Sequence, residues 1–164
     1  MFIASEFIPG WLSLAAGFVM LLACSLCAWH APWRAVQQVP ARQHLLLGGI
    51  CACVVLWLMS VHIVAYLWLH FLGITALVTL VGLRFALLVG AVATVLFALL
   101  IKQPLAGVPL AWLATVAAPA LVSRLVVYRV RGLRSNNLFL YLLGVGFGGG
   151  VLAMLATVVT ALAL

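Results

Sequence analysis

The chain is almost without acid. Its 164 residues include one Asp or Glu side chain, Glu6, against eight Lys and Arg. Catalysis by paired carboxylates is therefore excluded. Charged residues of both signs make up 5% of the chain, where a soluble domain carries about 25%. A water-facing surface cannot be built from so few charges, so the solvent of this chain is lipid. There is no nucleophile–base–acid set either: Ser60 and His62 stand two apart, a spacing that puts them on different faces of a helix. A Walker phosphate loop is missing, so the chain does not hydrolyse ATP itself. The start, Met1 to Glu6, has no basic stretch of the kind that opens a secretory signal. No cleavage is expected, and Met1 is expected to remain. Cys24, Cys27, Cys51 and Cys53 all fall inside apolar segments and do not form a secreted disulfide framework. The chain reads as a non-enzyme.

Hydrophobic residues make up 69% of the sequence, and the mean hydropathy is +1.41. The net charge of +7 could point to nucleic acid. The charges are scattered between apolar runs instead, which marks them as anchors beside a membrane. A span needs about 20 apolar residues. Six windows meet or approach that length: 11–29, 44–64, 67–82, 83–101, 110–127 and 138–164. The predicted fold is all-α, a single integral membrane domain over 1–164 built as a bundle of six transmembrane helices. Window 67–82 is short. Pro119 predicts a kink in the fifth span.

The positive-inside rule orients the bundle. With the N-terminus outside, Arg34, Arg42, Arg84, Arg124, Arg129, Arg131 and Arg134 all fall on the cytoplasmic side, and only Lys102 falls outside. Both termini are therefore predicted outside. That orientation sorts the histidines. His30 and His44 flank the first cytoplasmic link, whereas His62 and His70 flank the short outer link between spans two and three. An ionisable group at the mouth of an apolar run is a functional candidate, and His70 in Leu67–Leu77 is the foremost. Neutral imidazole favours transition-metal ions. His62 and His70 could share a site with the α-amine of Met1. The competing assignment has each histidine bonded to a carbonyl or water at the interface.

Other features have packing as their first reading. Cys24 and Cys27 are three apart on one face, whereas Cys51 and Cys53 cannot share a face. A thiolate metal site is weighed against simple burial. The pairs Gly144/Gly148 and Gly146/Gly150 make small-xxx-small steps for close helix approach, and Ala15, Ala16 and Gly17 form a small stripe that suits close docking of a partner membrane subunit or, equally, packing against lipid. Arg129, Arg131 and Arg134 read as a topology anchor touching lipid phosphate, or as a docking surface for a partner.

Three stretches carry a family resemblance. The start reads Met1-Phe2-Ile3-Ala-Ser-Glu6-Phe7-Ile8-Pro9, a central span opens Leu69-His70-Phe71-Leu72-Gly73-Ile74, and the last span follows Asn136-Asn137-Leu-Phe-Leu-Tyr141 with Gly146-Phe-Gly-Gly149. The link Gln43-His44-Leu45 with Gly48 belongs to the same pattern. In these the chain resembles a divergent branch of the CbiM/NikM family, the substrate-capturing permease component of energy-coupling factor transporters for cobalt and nickel. The resemblance covers nearly the whole length. It implies a multi-pass protein of a bacterial inner membrane and capture of a transition-metal ion as cargo, with no permanently bound cofactor. It also implies partners: a coupling transmembrane subunit and two ATPase subunits. By position, His70 and the Met1 amine match the family's ligands. Phe2 stands where the family has a second-position histidine, and His62 is the expected replacement, with Glu6 a weaker one. The competing functions are a membrane scaffold that keeps the fold without transport, and uptake of another small solute.

Overall fold

With no water in the hydrocarbon region, each backbone N–H and C=O must be bonded within its own segment, so long apolar runs fold as helices. The computed structural model describes residues 10–59, 61–64, 67–69, 73–132 and 142–163. Five of its helical stretches are long and apolar enough to cross a membrane: Gly10–His30, Pro40–Leu58, Leu83–Leu100, Leu105–Gly132 and Leu143–Ala161. The chain is predominantly helical and has the build of a multi-pass membrane protein.

Helix α1, Gly10–His30, has 21 residues, about 32 Å at 1.5 Å per residue. Its large side chains, among them Trp11, Leu14, Phe18 and Leu21, stay exposed, as suits a helix at the lipid edge. It is held at its start by the Ser13 hydroxyl, which donates to the Ala106 carbonyl. The small stripe is partly used inside the chain: Ala16 is buried, and Gly17 packs against Pro109. Pro32 ends the helix's run. The short α2, Trp33–Gln37, follows, and the Trp33 indole N–H reaches back 2.7 Å to the Ala28 carbonyl. Helix α3, Pro40–Leu58, starts on a proline, whose fixed φ suits a first helical turn.

The largest departure from expectation runs from the end of window 44–64 through window 67–82: α3 stops at Leu58, and neither window is one helix throughout. Strands β1, Val61–Val64, and β2, Leu67–Leu69, pair antiparallel, and α4 spans only Ile74–Val81. Eight residues of helix give about 12 Å, short of a membrane crossing. Helix α5, Leu83–Leu100, turns back directly from α4 through Gly82 at φ +83, a conformation that L side chains avoid.

Residues 105–132 form one continuous helical rod: a 3₁₀ turn at Leu105–Gly107, α6 at Val108–Trp112, a π-helical turn at Leu113–Ala117, and α7 at Ala118–Gly132. The expected disturbance at Pro119 takes the form of this π turn. Proline has no N–H to give the carbonyl four residues back, and the wider turn absorbs the mismatch. A second π turn at Leu142–Gly148 leads into α8, Gly149–Ala163. The last helix approaches α7 and α4 through Gly144, next to Val130, and Gly149, next to Thr75 and Val126. Gly146 and Gly150, predicted to pack closely, meet open space.

The core lies where α3, α4, α5 and the rod meet. Ile74, Ala86, Ala93, Trp112, Val116 and Ala120 are fully buried there. Small residues on α5 let the rod come close: a methyl at Gly90 would collide with Val116.

Candidate functional site

The direction of each helix decides which residues share an end of the bundle. Gly49 lies beside Val89, and Trp57 packs edge-on to Phe97 at 5.9 Å between ring centroids. The two contacts advance together, so α3 and α5 run parallel. The bond from Ser13 to Ala106 sets the start of α1 beside the start of the rod. One end therefore gathers the first described residue, Gly10, with the close of α3, the hairpin, the close of α5, and Lys102. The opposite end gathers His30, α2, the start of α3, Gly82 and Arg84, which donates 2.7 Å to the His30 carbonyl.

The hairpin end carries His62. In β1 it pairs with Trp68 of β2, and Val61 pairs with Leu69. Directly opposed residues in such a pair have Cα atoms about 4.5–5.5 Å apart. The neighbour of His62 is thus opposite the residue that precedes position 70. Met1, Glu6 and His70, which the sequence singles out, lie outside the described residues. The start of α1 at Gly10 lies at this same end.

The chain returns from the hairpin beside α3 rather than beyond it. A Cβ on Gly73 would stand 3.0 Å from the Leu56 side chain and 3.6 Å from the Cys53 sulfur. Leu77, one turn on, packs against Gly49. Helix α4 consequently runs back along α3 from Leu56 past Gly49 towards the arginine end, and the hairpin sits at the close of α3.

Sequence reasoning missed Trp57. It sits one residue before the close of α3, is 3% exposed, and its indole Nε1 has no hydrogen-bond partner among the described residues. A buried donor left unpaired costs about 1–3 kcal/mol. An indole N–H donates and cannot ligate a cation, so Trp57 is not a candidate metal ligand. Nothing in the local pattern separates this tryptophan from Trp11 or Trp29, which are exposed.

The other sequence candidates fall elsewhere. His30 and His44 stand at the arginine end, and His30 Nδ1 lies 3.0 Å from the Leu26 carbonyl. Cys51 is exposed and Cys53 buried, the opposite faces that a two-residue step dictates. Among the described residues no three His, Cys, Asp or Glu side chains cluster as a metal site. One polar pair is sealed in the core, where Ser123 Oγ and Thr75 Oγ1 are 3.0 Å apart. No family model, curated protein or solved structure matches the chain.

Proposed function

We propose that the chain captures a transition-metal ion, cobalt- or nickel-like, as the substrate-binding permease component of an energy-coupling factor transporter in a bacterial inner membrane. The ion is cargo. Its ligands in this reading are the imidazoles of His70 and His62 and the α-amine of Met1. The observation that supports it best is the interrupted helix: a hairpin bearing His62 replaces helical structure at the end of the bundle where α1 begins. Broken helices are a recurrent way to bring polar groups to a transport site inside a bilayer. The reading counts six crossings, with the hairpin and α4 together making the third, and this puts both termini on one side. Arg34, Arg42 and Arg84 at one end and Lys102 at the other favour the hairpin end as the outside. The imidazoles would then meet the ion before entry. With no phosphate loop in the chain, the energy for release must come from coupling and ATPase partners.

A second reading, a scaffold that keeps the fold without transport, is favoured by Phe2, which removes one imidazole from the family's ligand set. Elemental analysis separates the two. Protein purified from cells grown with added nickel and cobalt carries about one ion per chain if it captures them, and His70→Ala and His62→Ala lose it. Metal-free wild-type protein under those conditions favours the scaffold.

A further inference from the structure

The arginine end has cations and no acid to meet them. Glu6 is the chain's sole acidic side chain, and none occurs among the described residues. Two of the arginines are nonetheless fixed in place. Arg84 Nη1 donates to the His30 carbonyl at 2.7 Å, and Arg42 Nη1 donates to the Ala35 carbonyl at 3.2 Å. These two bonds bracket the corner between α1 and α2, which itself carries Arg34. All three arginines are exposed. A guanidinium has five N–H donors, so most of them stay free for an anion.

Beside this crown runs an apolar groove of about 540 Å³ between α1 and α5, walled by Met20, Cys24, Ala28, Leu88, Val92 and Leu96. Met20 to Ala28 extends it about 12 Å along the bilayer. Trp33 closes the groove at the arginine end, held by its bond to Ala28 and edge-on to Phe85 at 5.5 Å. On the far side of Phe85 a second cavity of about 290 Å³ is lined by Arg42, Pro32, Val36 and Leu46. Aliphatic walls that end at an indole, with guanidinium groups just beyond, match a lipid: tail, interface and headgroup in order.

We infer that this corner is a binding site for an anionic phospholipid, with one acyl chain in the α1–α5 groove and the phosphate on Arg34, Arg42 and Arg84. The absence of acid discriminates between headgroups. A zwitterionic lipid would bring an ammonium into a field of arginines with nothing to receive it, whereas phosphatidylglycerol adds only negative charge. An acidic protein segment would satisfy the guanidiniums and leave the groove unused. The inference is independent of which solute the protein carries.

Native mass spectrometry of the purified full chain tests it, with phosphatidylglycerol and phosphatidylcholine of identical acyl chains offered in competition. Wild-type protein should retain phosphatidylglycerol preferentially. Replacing both Arg34 and Arg84 by Gln should cut that preference roughly thirtyfold, taking about fivefold for each basic side chain near a lipid phosphate. The double Arg→Lys variant keeps the charge and should keep most of the preference, which separates binding from any folding defect. Val92→Trp, on the exposed wall of the groove, should weaken both lipids and leave their ratio intact. Equal retention of the two lipids by wild-type protein overturns the inference, as does an unchanged ratio in the double Gln variant. Displacement of the lipid by a poly-glutamate peptide would also overturn it, and would assign the crown to a protein partner.

Discussion

Gly90 gives the sharpest test of the packing. It lies in α5 opposite Val116, which is fully buried, and a methyl added at position 90 would overlap the valine side chain. Gly48 in α3 is the matched control, because a methyl there meets nothing within 4 Å. Alanine is favoured over glycine in a helix by about 1 kcal/mol, and that gain is common to both sites. The difference between Gly90→Ala and Gly48→Ala therefore isolates the collision. Overpacking of a filled core costs about 1–3 kcal/mol, so Gly90→Ala should be the less stable by that amount. Adding Val116→Ala should close most of the gap, since it removes the atoms that collide. The assay is thermal unfolding in detergent, followed by the fraction that remains monodisperse on a sizing column. If Gly90→Ala is as stable as Gly48→Ala, or if Val116→Ala fails to narrow the difference, the close approach of α5 and the rod is wrong.

Three further outcomes follow from the geometry. Gly82→Ala places a side chain at φ +83 and ψ 165 in the turn between α4 and α5, a region essentially reserved for glycine, and should cost about 1–3 kcal/mol in the same unfolding assay. Ser123→Ala breaks the buried bond to Thr75 and should cost about 0.6–1.7 kcal/mol, the range for hydrogen bonds between membrane helices; adding Thr75→Val should then change little more. In a background with its four cysteines replaced by alanine, Lys102→Cys should react with a membrane-impermeant maleimide added outside intact cells, and Arg34→Cys should react only after lysis. The reverse pattern would invert the orientation.

Much of the architecture was legible because hydropathy acts through length. Five windows contain helices that can cross a membrane, and their ends sit near the prolines and arginines that break the apolar runs. The stretch from the end of the second window into the third departs from helix for a physical reason. A short apolar run does not distinguish a buried helix from a strand by periodicity. The signal was in the residue types: Val61, Ile63, Val64, Tyr66 and Trp68 are β-branched or aromatic, the kinds that favour strands. The glycines near the C-terminus announced close packing, but not which of them would carry it. Gly149 does and Gly150 does not, because neighbouring residues of a helix point about 100° apart and only the face of Gly149 meets Thr75 and Val126. Trp57 was invisible for a different reason: an unpaired indole N–H is a property of its surroundings. For the candidate site, sequence placed His62 beside the outer link, and the hairpin adds its strand partner and its location at the end where α1 starts.

The central claim is that this end of the bundle holds a metal ion through nitrogen. X-ray absorption spectroscopy on the nickel-loaded protein measures it directly. The account predicts a first shell dominated by nitrogen, with the outer-shell scattering of imidazole, and loss of that scattering in the His62→Ala, His70→Ala double variant. A shell of water oxygen alone, or a spectrum unaltered by the double substitution, would contradict it.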